Sequence, residues 1–243
     1  MRESETEDGP RAAETVESHR HVGAAGAGAT VARDLTGVSL STARLVLREL
    51  GADDIDAITA ACQDELIQRY TTVPSPYSRA DAEKFVLEVS PAGRRAGTDA
   101  VFGVFVAGGA DGAGAGPADS VLARQGGLVG TVGMHRIAHV GASYGGNGEL
   151  GYWAAPWARG HGYVAEAAAA VCRWGFADLG LARIEWYALS GNESSWAVAR
   201  RCGFRRDGTL RAWLVHRGAR HDAWAGSLLP GELTDTTSAS ENR

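Results

Sequence analysis

Apolar and polar residues alternate from Arg44 to Leu50 (RLVLREL), the period of a strand with one buried face. From Asp53 to Tyr70 the spacing lengthens, and Ile55, Ile58, Ala61, Cys62 and Leu66 fall near one face of a helix. A second helix is predicted over Ser78–Ser90, with Ser78 as N-cap and Asp81 three residues on. The apolar runs Ala100–Ala107 (AVFGVFVA) and Leu128–Ile137 (LVGTVGMHRI) read as strands, as does Glu149–Ala154. The Ala-rich stretch Tyr163–Leu179 reads as a helix that Gly180 ends. Arg183–Leu189 (RIEWYAL) is strand-like and Glu193–Cys202 helical. Phe204–Leu214 and Arg220–Leu229 form a closing hairpin turned at Arg217-Gly218. The order β-α-α-β-β-β-α-β-α-β-β is that of an α+β fold, with helices flanking one mixed, mostly antiparallel sheet.

Composition narrows the picture. Residues 1–37 are polar and acidic with interspersed Gly and Ala, and are expected to form a disordered tail. Residues 231–243 read the same way, which leaves a single domain over 38–230. Residues 108–127, containing GGADGAGAGPADS, are expected to form a flexible hairpin loop between two strands. The net charge of −5 resides in the tails, with −3 in residues 1–37 and −2 in residues 231–243. A neutral domain without a basic stripe excludes nucleic acid as an expected partner. No run of eighteen apolar residues is present, so no membrane helix is expected, and the acidic N-terminus lacks the apolar core of a signal peptide. Cys62, Cys172 and Cys202 are scattered and odd in number, which points to a reducing, cytoplasmic location. No His or Cys stands at metal-ligand spacing, so no metal is expected. His135, His139 and His216 read as surface or acceptor-pocket residues. Lys84 is the sole lysine, so cationic side-chain contact with a phosphate falls to arginine.

The stretch GELGYWAAPWARGHGYVAEAAAAVCRWGF, Gly148 to Phe176, carries the candidate chemistry. A strand enters a Gly- and Arg-containing turn that leads directly into a helix. Such a helix start presents unpaired N–H groups and the positive end of its dipole. The amides of Gly160, His161, Gly162, Tyr163, Val164 and Ala165 suit a diphosphate, with Arg159 adding charge. The same turn serves equally as an unliganded connection. It lacks the G-x-G-x-x-G spacing of a dinucleotide fingerprint and the Gly-Lys-Ser/Thr of a P-loop.

ARGHGYVAEA resembles motif A of the GNAT family of N-acetyltransferases, Q/R-x-x-G-x-G/A, with Arg159, Gly162 and Val164 on the fixed positions. Val164 replaces a small residue, and its branched side chain crowds the site. Asn192, Ser195, Gly203 and Phe204 resemble the N-x-x-S and L-G-F features of the ribosomal-protein N-terminal (RimJ/RimL-type) branch, with Cys202 in place of Leu. RLVLREL resembles that branch's opening strand, and the resemblance spans residues 40–230. It implies a fold in which strands 149–154 and 183–189 are parallel, central and splayed, so that a pantetheine arm completes a sheet edge. It also implies acetyl-CoA as co-substrate, without a metal. A primary amine, on a protein N-terminus or a small molecule, would attack the thioester directly in a ternary complex. Residues 53–91 and 138–147 would shape the acceptor pocket of a monomer or homodimer.

The same resemblance distributes roles. Glu149 is the candidate base, acting directly or through a water, and Glu185 is the weaker competitor. Ser195 is the candidate acid for the departing thiolate, or else satisfies its own backbone at a helix start. Tyr163 and Tyr152 are alternative proton donors. Asn192 suits a pantetheine amide, an N-cap, or both. A backbone N–H around Trp153 or Ala154 would stabilise the thioester oxyanion. Two alternatives stay open: transfer of succinyl or another acyl group, and a non-catalytic acyl-CoA sensor.

Overall fold

The computed structural model describes residues 33–107, 127–138 and 146–234. The acidic start of the chain, nearly all of the Gly-rich loop, His139 and the residues after 234 lie outside the described residues. The strands are β1 (Leu40–Ser41), β2 (Leu45–Arg48), β3 (Ala100–Val106), β4 (Leu128–Ala138), β5 (Asn147–Ala154), β6 (Arg183–Leu189), β7 (Arg205–His216) and β8 (Ala219–Leu228). They form one sheet in the order β1-β2-β3-β4-β5-β6-β8-β7. All neighbours are antiparallel except β5 and β6. That parallel pair holds register only over Asn147↔Arg183, Gly148↔Ile184 and Glu149↔Glu185. Beyond it the strands part: β5 continues against β4 to Ala154, and β6 continues against β8 to Leu189. The expected splay is therefore present at the centre of the sheet.

The helices are α1 (Ile55–Ala61), α2 (Glu65–Tyr70), α3 (Arg79–Lys84), α4 (Ser90–Ala96), α5 (Tyr163–Ala177) and α6 (Glu193–Arg201). The single helix expected over 53–70 is divided into α1 and α2. Asp64 turns out of helical geometry (φ −64°, ψ 128°), and its carboxylate accepts the N–H groups of Leu66 and Ile67. An N-cap within a helical pattern ends one helix and starts the next. The Ser78–Asp81 capping box starts α3 as expected. The helix does not stop at Ser90; a π turn over Phe85–Val89 joins α3 to α4. The wider turn makes room for Pro91, which has no N–H to donate.

Under one sheet face lies α5, whose Ala167, Ala168, Ala169 and Val171 are buried. Small residues let it approach closely: a Cβ on Gly175 would stand 3.1–3.4 Å from Met134, Leu181 and Ile184. Domain edges extend beyond those expected. Leu35, assigned from sequence to the tail, is buried, and its N–H donates to the Arg94 carbonyl at 3.0 Å. At the other end the Thr234 N–H donates to the Cys202 carbonyl at 3.1 Å.

Arg94 fastens the N-terminal edge. Its guanidinium is 1% exposed and donates to the carbonyls of Leu35 (2.9 Å), Val38 (3.4 Å) and Val101 (2.8 Å), stacked over Phe102 at 4.5 Å. Arg94→Met keeps most of the volume and strands those carbonyls. The expected cost is about 3 kcal/mol, read as a melting temperature lower by roughly 10 °C. An unchanged melting temperature contradicts the role.

Candidate active site

The turn before α5 is built to leave backbone uncovered. Gly160 (φ 83°) and Gly162 (φ 74°) both sit in the left-handed region, and Gly162 is the N-cap of α5. The first bond of the helix is Glu166 N–H to the Gly162 carbonyl, 3.1 Å. The N–H groups of Tyr163, Val164 and Ala165 therefore have no partner within the helix. Nothing lies within 4 Å of a Cβ built on Gly160, and at Gly162 the neighbour is the Arg201 guanidinium, 3.6 Å away. Arg44 holds the turn from behind. It donates to the His161 carbonyl at 3.3 Å, pairs with the buried Glu166 carboxylate at 2.5 Å and covers the Tyr163 ring at 4.8 Å. His161 stacks on Tyr163, with ring centroids 5.4 Å apart. The Val164 side chain is buried with the core.

Two cations differ from expectation. Arg159 donates to the Asp64 carboxylate at 2.6 and 3.1 Å and to the Ala154 carbonyl at 3.4 Å. It thereby ties the turn to the cap of α2, and its hydrogen bond holds the Asp64 carboxyl below the ordinary carboxylate range. The cation beside the bare amides is instead Arg201, from the last turn of α6. Sequence reasoning missed it, although Ser195, Val198 and Arg201 recur at three-residue spacing on the face that lines the cleft.

The amides open into a cleft of about 1210 Å³ that runs through the gap between β5 and β6. The register decides which backbone groups face it. Ala155 N–H donates to the Val129 carbonyl at 2.9 Å, and Ala154 lies opposite Gly130. Alternation along an antiparallel ladder then directs the N–H of Trp153 toward β4, and those of Leu150, Tyr152 and Ala154 into the gap. Of the two expected candidates for the oxyanion donor, Ala154 keeps the geometry and Trp153 does not.

Glu149 lines the cleft at the point where the strands part and is ion-paired with Arg136, which also covers the Tyr187 ring at 5.5 Å. Glu185 is occupied otherwise: it accepts from Tyr187 Oη at 3.1 Å and from Arg183 Nε at 3.3 Å. Asn192 is the N-cap of α6, its Oδ1 accepting the Ser195 N–H at 3.1 Å. The Ser195 hydroxyl accepts from Trp186 Nε1 at 3.1 Å and donates to Tyr152 Oη at 3.3 Å. Tyr152 Oη in turn donates to the Ser195 carbonyl at 2.7 Å. Burial pushes the Tyr152 phenol well above its ordinary value, so it stays a neutral proton donor. Ser195 and Tyr152, alternatives by sequence, thus form one unit, while Tyr163 belongs to the turn before α5. Among the described residues no group of three His, Cys, Asp or Glu side chains converges on a metal site, and no helix is long and apolar enough to cross a membrane.

A splayed parallel pair opening onto a glycine-capped helix start agrees with sequence comparison, in which the Acetyltransferase (GNAT) domain matches residues 44–205. The chain belongs to the GNAT acetyltransferase family. It is similar to YdaF of Bacillus subtilis, provisionally named a ribosomal N-acetyltransferase, with 34% identity over 111 residues, 46% of this chain and 58% of YdaF. That alignment spans somewhat over half the length of the relative. Among solved structures it resembles a provisionally named ribosomal-protein-serine acetyltransferase of Vibrio cholerae, with TM-score 0.64, 24% identity, and coverage of 80% of this chain and 98% of that one. It also resembles Mycobacterium smegmatis RimJ in complex with CoA-disulfide, with TM-score 0.62, 21% identity, and coverage of 79% and 84%. At those identities the structural likeness shows the fold alone.

Proposed function

We propose that this protein transfers acetyl from acetyl-CoA to a primary amine, with a protein N-terminus as the acceptor. The observation that carries the reading is the join between two features. The unpaired edge of β5 leads directly to the bare amides at the start of α5. A ligand that fits both must be extended and amide-bearing along one part and anionic along the next, which describes pantetheine followed by pyrophosphate. The naming of YdaF as a ribosomal N-acetyltransferase supports an amine on a protein as acceptor.

In this reading the pyrophosphate lies against the amides of Gly162 to Ala165, with Arg201 beside it. The pantetheine amides bond to the free edge of β5, and the Asn192 amide N–H adds a donor. The Ala154 N–H faces the thioester oxygen as charge develops there. The amine nitrogen attacks the carbonyl carbon, a C–N bond forms and the C–S bond breaks. Glu149 takes a proton from the nitrogen, directly or through a water. The Ser195–Tyr152 pair supplies a proton to the departing sulfur. Tyr152→Phe is expected to lower kcat on the order of 10²-fold with little change in the KM for acetyl-CoA. Ser195→Ala leaves the phenol in place and is expected to cost less. An unchanged kcat for Tyr152→Phe removes the pair from the chemistry.

The test is thiol release from acetyl-CoA with short peptides that begin with a free Ser or Ala. Free thiol should appear one-for-one with N-terminal acetylation, and a blocked N-terminus should give none. Binding of acetyl-CoA without thiol release for any peptide or small amine would favour a non-catalytic sensor.

A further inference from the structure

His135, hydrogen-bonded to Asp99, reaches the cleft and has no part in the acetyltransfer scheme. His135 on β4 lies opposite Glu149 on β5, and both line the cleft. Its Nδ1 is 3.1 Å from Oδ1 of Asp99, in the turn before β3. The imidazole rests on a floor of two glycines, Gly133 and Gly151, which face each other across β4 and β5. A Cβ on Gly133 would stand 2.6 Å from Nε2, and one on Gly151 would stand 3.0 Å from Cδ2. Any side chain at either position would displace the ring, so the backbone is bare where the imidazole needs it. The hydrogen bond with His135 is the main reason the Asp99 carboxyl is held below the ordinary range, despite its partial burial. An ionised Asp99 accepts from Nδ1–H, which leaves Nε2 as the basic nitrogen of a neutral ring. Nε2 has no hydrogen-bond partner among the described residues. The other charged groups that line this cleft are Glu149, whose partner Arg136 lies outside the lining, Asp81 and Lys84 on α3, Arg159 in the turn before α5, and Glu193 and Arg201 on α6.

Acetylation of an ammonium removes two protons from nitrogen, one before attack and one as the adduct collapses. One ends on the coenzyme thiol and the other leaves to water. A single carboxylate is an incomplete answer, because a carboxylate next to an ammonium favours the charged form that cannot attack. Neutral imidazole carries no such penalty and titrates nearest to neutral pH. We propose that His135, positioned by Asp99, is a second catalytic base that takes the first of these protons at Nε2. This rests on the acetyltransfer reading. The nitrogen lone pair then forms the C–N bond as the carbonyl electrons move onto oxygen. Those electrons return as the C–S bond breaks, and Glu149 receives the second nitrogen proton. The sulfur takes the bonding pair and a proton from the Ser195–Tyr152 pair. One stored proton restores that pair and the other is released to water.

The proposal is tested on the full chain with acetyl-CoA and a Ser-initiated peptide. His135→Ala should lower kcat/KM for the peptide on the order of 10²-fold, leave the Kd for acetyl-CoA unchanged and abolish the acidic limb of the pH–rate profile. Asp99→Asn keeps the base but removes the charge that favours imidazolium, so the same limb should move to lower pH. A His135→Ala enzyme with the wild-type rate and the wild-type limb overturns the proposal. Peptide-independent evidence comes from ¹⁵N NMR of the ring. The neutral form should carry its proton on Nδ1, and a ring protonated on Nε2 overturns the proposal as well. Failure of the wild-type protein to acetylate any amine would instead count against the acetyltransfer reading, a result separable from the tautomer.

Discussion

Gly162→Asp is expected to weaken acetyl-CoA binding by about 100-fold in calorimetry, which corresponds to roughly 2.7 kcal/mol. The carboxylate would enter at the N-cap of α5, beside three amides without helix partners and the positive end of the helix dipole. It would occupy that place itself and repel the pyrophosphate. It would also stand next to Arg201, since the Cβ position is 3.6 Å from the guanidinium, and would draw off that cation. Asp tolerates the left-handed conformation better than most residues, so φ 74° at this position leaves the fold intact. Gly162→Asn separates charge from shape. It fills the same space at the same φ, and should lose much less affinity than the aspartate. Equal losses for the two variants would mean that crowding, rather than anion recognition, governs this turn.

Glu149→Gln is expected to lower kcat on the order of 10²-fold at neutral pH while the Kd for acetyl-CoA stays the same. Gln keeps the size and the place at the parting of β5 and β6 but does not accept a proton. The ion pair with Arg136 is lost too, yet Arg136 is 63% exposed and is readily resolvated, so stability should change little. A drop in kcat with an unchanged melting temperature therefore reports chemistry. If kcat holds, the proton leaves by another route, and Glu185 is poorly placed to provide it, since Tyr187 and Arg183 already engage its oxygens.

Local chemistry was legible, and remote pairing was not. The strand, turn and helix from Gly148 to Phe176 announce themselves because helical period, left-handed glycines and an orphaned helix start are all encoded within thirty residues. Gly203 of the C-G-F sequence has a reason that only the structure supplies: a Cβ there would meet the Glu232 carbonyl at 2.2 Å, where the C-terminal segment crosses. The break at Asp64 was readable in principle, since an Asp followed by a fresh apolar turn is a cap signal, but the apolar spacing ran through it. The ion pair of Arg159 was not legible from sequence, because its partner Asp64 is 95 positions away. The choice between Trp153 and Ala154 also needed the ladder, as a shift of one residue reverses which amides face the gap. His135 reads from sequence as a surface or acceptor-pocket residue and no more, because the glycines that seat it come from two strands. The hairpin at Arg217-Gly218 was legible, whereas the insertion of β8 between β6 and β7 follows from sheet assembly.

Amide hydrogen exchange with and without saturating acetyl-CoA examines the central claim at the atoms concerned. Protection should rise at Tyr163, Val164 and Ala165, where coenzyme phosphate replaces water, and at Tyr152 and Ala154 along the open edge of β5. Exchange at all five amides that stays unaltered while the coenzyme is bound would contradict the account.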